Sequence, residues 1–303
     1  MTRTLAAALL VLAAVPAAAP AQPALPPSVL PAQAGGDAPG VGAPTGPGAA
    51  EAAQVAPLTE ALAMPDLLGI MRQEGLDYAG DIAADMFPGR GGARWRATVE
   101  EIYDTARMRR EVRAALAERL APPQVDALVQ FFDSDLGRRI VGLEISARRA
   151  LLDPSVEEAA EQAAAELEAS GDSRFELLRA FVEANDLVEM NVVGALNSNW
   201  AFYQGLDAGG AFDGRLSEER MLADVWGQEE QIRAETREWV YSYLGLAYRP
   251  LSDDELAAYT ALSETPEGRA LNTALFAAFD AMFTRISRDL GLAAATFLAG
   301  EDI

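Results

Sequence analysis

The pattern that decides the fold lies in the segment LAPPQVDALVQFFDSDLGR at positions 120–138. The segment LSDDELAAYTALSETPEGR at 251–269 aligns with it without a gap, at a shift of 131 residues. In each segment, apolar residues at helical spacing are followed by an acid and then by a hydroxyl residue, Ser134 or Thr265. Because such a hydroxyl caps the first turn of a helix, each segment predicts two helices joined by a tight corner.

Three residues form the corner motif in each copy: Ser134, Gly137 and Arg138 in the first, and Thr265, Gly268 and Arg269 in the second. The glycine is at the third helical position, where the absent side chain lets the preceding helix approach closely. The second copy replaces the pair Phe131-Phe132 with Leu262-Ser263, so we expect its corner to pack differently.

Helical signals continue outward from the corners, and long alternating runs typical of strands are absent from the sequence. One apolar stripe comprises Trp95, Val99, Ile102, Ala106, Val112, Leu116 and Leu120. Predicted helix starts are Pro65, Pro122-Pro123, Asp153-Pro154, Ser173-x-x-Glu176 and Ser252-x-x-Glu255. Predicted breaks fall at 87–89, near 170–171 and across 205–214.

The shift between the two corners also places Trp95 on Trp226, which indicates an internal repeat. The second copy is longer, and the extra residues form an aromatic and glycine-rich insertion near 197–215. We therefore predict an all-α protein with two tandem, related antiparallel helical bundles, repeat 1 over 58–170 and repeat 2 over 171–303.

The run Leu-x-x-x-x-Val-x-x-Leu-x-x-Phe-Phe-x-Ser-x-x-Gly-Arg from Leu120 to Arg138, with its second copy, resembles the domain-of-unknown-function family 2059. Members of that family are small helical domains of exported bacterial proteins. The resemblance implies a fold and a compartment, and it implies no catalytic residues.

The N-terminus has the features of a secretory signal peptide over 1–21: Arg3, an apolar run over 5–15 and the small-residue site Ala19-Pro20-Ala21. Cleavage there would start the mature chain at Gln22, and no cysteine follows that could carry a lipid. Residues 22–57 contain eight of the 17 prolines and predict a disordered linker. We expect a soluble periplasmic protein without membrane insertion in its mature form, or alternatively a protein secreted into the medium.

The composition excludes several chemistries. The chain has no His and no Cys, and all 24 of its basic residues are arginine. Catalytic triads that use His, His/Cys zinc sites and lysine Schiff bases are therefore excluded. We assign no catalytic residue, no cofactor and no metal site. The net charge of -22 opposes binding to nucleic acid.

Two groups of residues form the candidate partner surface. The insertion contains Trp200, Phe202, Tyr203 and Phe212, and aromatic residues dominate binding hot spots. Alternatively, these aromatics close over the helical core. Arg109 and Arg113 share a helix face within the arginine-rich stretch 107–149, which could bind an acidic partner. Alternatively, the arginines of this stretch pair with the acidic second half of the chain and dock the two repeats.

Three functions remain open on these grounds. We favour a non-enzymatic binding or interaction module of the bacterial cell envelope, with an envelope protein or ligand of unknown identity as its partner. A carboxylate-dependent hydrolase of envelope glycan or peptide is the first alternative, because paired carboxyls can cleave such bonds. An acidic chaperone-like protein is the second.

Overall fold

The computed structural model describes residues 53–212 and 216–300, and within these ranges it contains helices and no strand. This confirms the all-α class. In chain order the helices are α1 (Ala56–Ala61), α2 (Met64–Met86), α3 (Gly92–Ile102), α4 (Thr105–Arg119), α5 (Pro122–Phe132), α6 (Asp135–Ala150), α7 (Pro154–Ser170), α8 (Ser173–Ala184), α9 (Leu187–Ala208), α10 (Glu218–Trp226), α11 (Glu229–Tyr248), α12 (Asp253–Ser263) and α13 (Pro266–Leu298).

Most predicted helix starts are confirmed. Asp153 caps α7, and Ser252 forms a capping box with Glu255 at the start of α12. The start at Ser173 is wrong by one residue, because the carboxylate of Asp172 accepts a hydrogen bond from the Arg174 N–H at 2.8 Å and so caps α8. The sequence correctly predicts a helix start with a capping side chain here, but the cap is Asp172 and not the adjacent Ser173.

The predicted apolar stripe is buried except for the half-buried Ala106, but it belongs to two helices. Residues Trp95, Val99 and Ile102 lie on α3 and Val112 and Leu116 on α4, all of them buried. The chain turns between these helices because Asp104 accepts a hydrogen bond from the Arg107 N–H at 2.6 Å and starts a new helix.

The predicted break across 205–214 is wrong at its beginning, since α9 continues to Ala208. Gly205 lies inside α9, where a Cβ atom would collide with the carbonyl oxygen of Arg288 on α13. Gly291 on α13 has the reciprocal relation to the carbonyl oxygen of Phe202. These glycines therefore allow direct backbone contact between two long helices, and they do not interrupt either one.

Helix α13 is the central element, because it packs on α9 along much of its length and also on α2, α3, α4 and α5. One continuous set of buried apolar side chains extends from Val55 to Ala295. Both predicted repeats thus contribute to a shared core within the described residues. The division into two repeats at 170/171 stays a prediction from the sequence.

The two corner motifs have matching local geometry. Ser134 accepts a hydrogen bond from the Gly137 N–H at 3.1 Å, and Thr265 accepts one from the Gly268 N–H at 3.0 Å. Each corner arginine also reaches back to the preceding helix end, Arg138 to the carbonyl of Asp133 and Arg269 to that of Glu264. The motif residues therefore hold the turns together.

The two corners differ in the side chains that they bury, as the sequence difference at their preceding residues predicts. Phe132 and Ser263 are both buried, but Phe132 is an apolar ring in the core, whereas the Ser263 hydroxyl donates a hydrogen bond to the carbonyl of Tyr259 within its own helix. Phe131 stacks on the Tyr259 ring with centroids 6.1 Å apart, which joins α5 to α12.

We expect Gly137→Val to lower the free energy of unfolding by about 1–3 kcal/mol through overpacking, which outweighs the better helix propensity of valine over glycine. A Cβ atom at Gly137 would collide with the carbonyl oxygen of Phe131 and lie 2.6 Å from Cα of Phe132. Gly142→Val on the same helix is the matched control, because a Cβ there meets nothing within 4 Å. Urea unfolding measures both, and equal losses in the two variants would refute the close approach at the corner.

The predicted disordered linker ends too late. Val55 is buried in the core and α1 begins at Ala56, so the described residues 53–57 belong to the folded part. Apolar burial of Val55 against the helices outweighs the proline at position 57, which is tolerated in the first turn. The signal peptide and the rest of the linker lie outside the described residues. No described helix is both long and apolar enough to cross a membrane.

Candidate functional site

A groove of about 570 Å³ opens between α7, α8 and α11 and the turn that follows α11. One wall is a face of α7 made of small apolar residues: Val156, Ala159, Ala160, Ala163, Ala164 and Leu167. The opposite wall contains Leu178 of α8, together with Leu244, Gly245 and Tyr248 of α11. The groove is therefore apolar along both sides.

The sequence of α7 explains why space remains here. Alanine has the highest helix propensity, so the helix forms readily, but a methyl group cannot fill the distance to a neighbouring helix. The acids of α7, at 157, 158, 161, 166 and 168, do not line the groove. Gly245 on the facing helix leaves further room, because a Cβ atom there would meet nothing within 4 Å.

Two arginines and one acid lie on the rim, and only one arginine is engaged. Arg174 donates to Asp253 at 2.7 Å and to the carbonyls of Tyr248 and Leu251 at 2.6 and 2.9 Å. It thereby satisfies one carbonyl at the C-terminal end of α11 and one in the turn that follows. Arg249 is exposed and makes no hydrogen bond or ion pair with any described residue.

The inner wall leads to a buried polar cluster through Tyr248. The Tyr248 hydroxyl donates to the carboxyl Oε1 of Glu144 at 2.6 Å, and the Tyr259 hydroxyl donates to the same oxygen at 3.2 Å. The Tyr243 hydroxyl donates to the backbone carbonyl of Glu144 at 3.2 Å. Glu144 itself is 1% exposed. Three tyrosines thus surround one carboxyl group that has no access to solvent.

Arg148, one helical turn after Glu144, makes a buried bidentate ion pair with Glu74 of α2. The Nε–Oε1 and Nη2–Oε2 distances are 2.9 and 2.6 Å, and the two side chains are 1% and 3% exposed. Parallel bonds of this kind are the strong geometry for guanidinium and carboxylate. The pair joins α2 to α6 across the core.

Burial has the largest effect on the pKa of Glu144 and raises it. The hydrogen bonds from Tyr248 and Tyr259 lower this pKa by a smaller amount. The net effect raises the pKa of Glu144 to about 8, so this carboxyl is protonated at neutral pH. Burial also raises the pKa of Tyr248 and Tyr259 well above the ordinary tyrosine value. At neutral pH the cluster therefore contains one ion pair and otherwise uncharged groups.

A shifted carboxyl can serve as a general acid only if it reaches a substrate within hydrogen-bond distance. Glu144, Tyr248 and Tyr259 are each 1% exposed or less. The groove contains one carboxylate, Asp253, and Arg174 already binds it. The arrangement is suited to binding an apolar group and to holding the helices in register.

The aromatic residues of the predicted partner surface lie on or just after α9, and they are at least partly covered. Phe202 is 9% exposed and packs in the main core, so it offers a partner almost no surface. Trp200 and Tyr203 pack on a smaller apolar cluster around Val192 and Ile232. Tyr203 stacks on Phe212 with centroids 6.2 Å apart. Their role in partner binding stays a prediction.

The arginines of the predicted surface lie on α4 and have different environments. Arg113 pairs with Glu60 at 2.8 Å and donates to the Thr59 hydroxyl at 3.1 Å. Arg109 is exposed and has no hydrogen bond or ion pair among the described residues. Elsewhere in the arginine-rich stretch, Arg139 pairs with Glu255 of the second half. That contact favours the alternative in which arginines of this stretch pair with acids in the second half of the chain.

Two exposed features were not predicted from the sequence. The groove had no recognisable motif, because an alanine-rich helix face is common in any helical core. Trp226 is 60% exposed although its matched partner Trp95 is buried, where the Trp95 indole N–H donates to the Ala79 carbonyl at 2.7 Å. The two positions that the predicted repeat aligns thus have different environments.

The chain is similar to a bacterial family described as "Uncharacterized protein conserved in bacteria (DUF2059)", whose model matches residues 106–166. This confirms the family resemblance, with one copy detected. The matched stretch extends from α4 into α7 and includes the first corner, Glu144, Arg148 and the alanine face up to Ala164. No curated protein and no solved structure shows a match to this chain.

Proposed function

We propose that this chain, which is similar to that bacterial family over residues 106–166, is a non-enzymatic binding protein of the cell envelope. Its groove between α7, α8 and α11 takes up the apolar part of a ligand. The apolar run at 5–15 and the small-residue site before Gln22 support export, and they support the periplasm as its location.

The observation that carries the binding proposal is the groove itself. Its volume of about 570 Å³ lies within the usual range of small-molecule sites, about 300–1,000 Å³. Both walls are apolar, and exposed alanines such as Ala159 and Ala163 belong to one of them. An apolar ligand segment would remove this surface from water, which is favourable in proportion to the area covered.

The geometry favours binding over hydrolysis. Glycoside cleavage requires two carboxyl groups that flank the scissile bond. Glu144 is sealed in the core, Glu74 is 4% exposed and held by Arg148, and Asp253 is the one carboxylate that lines the groove. Four acids do converge on a depression beside α2, at 74, 77, 81 and 157, but its volume of about 40 Å³ accommodates water and not a sugar ring.

The test uses N-phenyl-1-naphthylamine, a neutral dye whose fluorescence rises in apolar surroundings. We expect the full mature chain to bind the dye at one site and Gly245→Leu to abolish that binding. Since a Cβ at Gly245 meets nothing within 4 Å, a leucine there would extend into the groove. Replacing a helical glycine should also leave the fold at least as stable.

Gly142→Leu is the matched control, because Gly142 is a helical glycine with equal free space outside the groove lining. It should bind the dye as the wild type does. Absence of saturable dye binding to the wild type would refute the proposed function. Undiminished binding by a folded Gly245→Leu variant would show that the dye binds elsewhere and would refute the groove as the site.

A further inference from the structure

We infer that the natural ligand of the groove is a single-chain amphiphile with an anionic oxyacid head, and that Arg249 binds this head. The alkyl chain lies along the alanine face of α7. This inference rests on the proposed function, because it assigns a ligand class to the same groove.

The free guanidinium on the rim is the first observation. Arg174 uses its donors on Asp253 and on two backbone carbonyls, so it is committed to holding the end of α11. Arg249 lines the same groove, is exposed, and has no partner among the described residues. A guanidinium offers planar, paired donors that match the oxygens of a carboxylate or a phosphate.

The charge of the rim is the second observation. The lining contains Arg174, Arg249 and Asp253 as its charged residues, which leaves one positive charge in excess. The whole chain carries a net charge of -22. The charge of the whole chain repels anions, so a local positive excess beside an apolar trough favours a ligand with an anionic head and an apolar body.

The shape of the trough is the third observation. The α7 wall extends from Val156 to Leu167, a distance of about 16 Å at 1.5 Å per residue. An extended alkyl chain of twelve carbons is about 14 Å long by ordinary carbon–carbon geometry, so it fits within the length of this wall. Methyl groups such as those of Ala159 and Ala163 form a smooth wall and supply no polar partner. The wall suits a plain hydrocarbon chain better than a sugar or a peptide backbone.

The experiment measures how four twelve-carbon compounds displace N-phenyl-1-naphthylamine from the full mature chain at low ionic strength, each below its critical micelle concentration. The compounds are dodecanoate, dodecyl phosphate, dodecan-1-ol and dodecyltrimethylammonium. We expect the two anions to displace the dye at about tenfold lower concentration than the alcohol, as one charge-assisted contact would produce. The cation should be the weakest competitor.

Arg249→Gln should remove the advantage of the anions and leave the alcohol unchanged, and Arg249→Lys should retain part of it. Arg109→Gln is the matched control, because Arg109 is also exposed and unpaired among the described residues but lies outside the groove. The ratio of dodecanoate to dodecyl phosphate distinguishes a fatty-acid head from a phosphate head.

Equal displacement by all four compounds, or an anion preference that survives Arg249→Gln, would overturn this inference. In either case, if the wild type binds the dye and Gly245→Leu abolishes that binding, the proposed function still stands. Failure of the wild type to bind the neutral dye would overturn both. Preference for the cation would replace the anionic head with a cationic one and so refute the inference.

Discussion

Arg148→Met is expected to lower the free energy of unfolding by about 3–5 kcal/mol, because it removes one partner of a buried ion pair. The remaining partner, Glu74, is 4% exposed and would keep its carboxylate in a low-dielectric environment without its bidentate donor. Urea unfolding followed by circular dichroism measures the change.

Arg149→Met is the control for this substitution. Arg149 is the next residue, but its side chain is 59% exposed and its contact with Asp66 is 3.5 Å long, so we expect a change below about 0.5 kcal/mol. The double variant Glu74→Leu with Arg148→Met removes both charges and should recover most of the stability lost in the single variant. A single variant as stable as the wild type would refute the buried pair.

The stability of the wild type is expected to fall as the pH rises from about 5 to about 8, because Glu144 binds its proton more tightly in the folded state. Its pKa is raised from the ordinary 4.5 to about 8. Between these values the unfolded chain has lost this proton and the folded chain retains it, so each step up in pH favours unfolding. The loss from this group is on the order of 4–5 kcal/mol, complete above about pH 8.

Glu144→Gln should remove most of this pH dependence, because the amide stays uncharged and its oxygen can still accept from Tyr248 and Tyr259. At pH 8 the variant should be the more stable protein. Glu166→Gln is the control: Glu166 is an exposed acid of α7, and its loss leaves the background repulsion of the remaining acids almost unchanged. Parallel stability curves for the wild type and Glu144→Gln would refute a protonated buried carboxyl.

Several features of the fold were predictable from local sequence. A hydroxyl or carboxylate at a helix start bonds an N–H two or three residues later, as Ser134 and Asp153 do. The need for glycine at the third position of a corner helix is also a local effect. At Gly137 the prediction is confirmed, because a Cβ atom there would collide with the backbone of Phe131, six residues earlier. Gly205 was predicted to break a helix, but it lies inside α9. A glycine is required there because the backbone of α13, 83 residues further along the chain, contacts it directly.

The candidate site was much less predictable. Glu144 and Arg148 fall in an arginine-rich stretch whose charges suggest a solvated surface, and nothing nearby in sequence indicates their burial. Their partners are distant along the chain: Glu74 is 74 residues from Arg148, and Tyr248 is 104 residues from Glu144. The groove likewise depends on which helix faces α7, and an alanine face accepts many neighbours.

The sequence by itself determined the helical class, the positions of most helix ends and the two corners, because each depends on interactions between residues a few positions apart. It also excluded His, Cys and Lys chemistry by composition. The tertiary structure alone decided that Glu144 is surrounded by tyrosines, that Arg148 meets Glu74, and that Arg249 is left free beside an apolar groove. These features arise where helices from both halves of the chain pack together, and local sequence patterns do not predict contacts between residues so far apart.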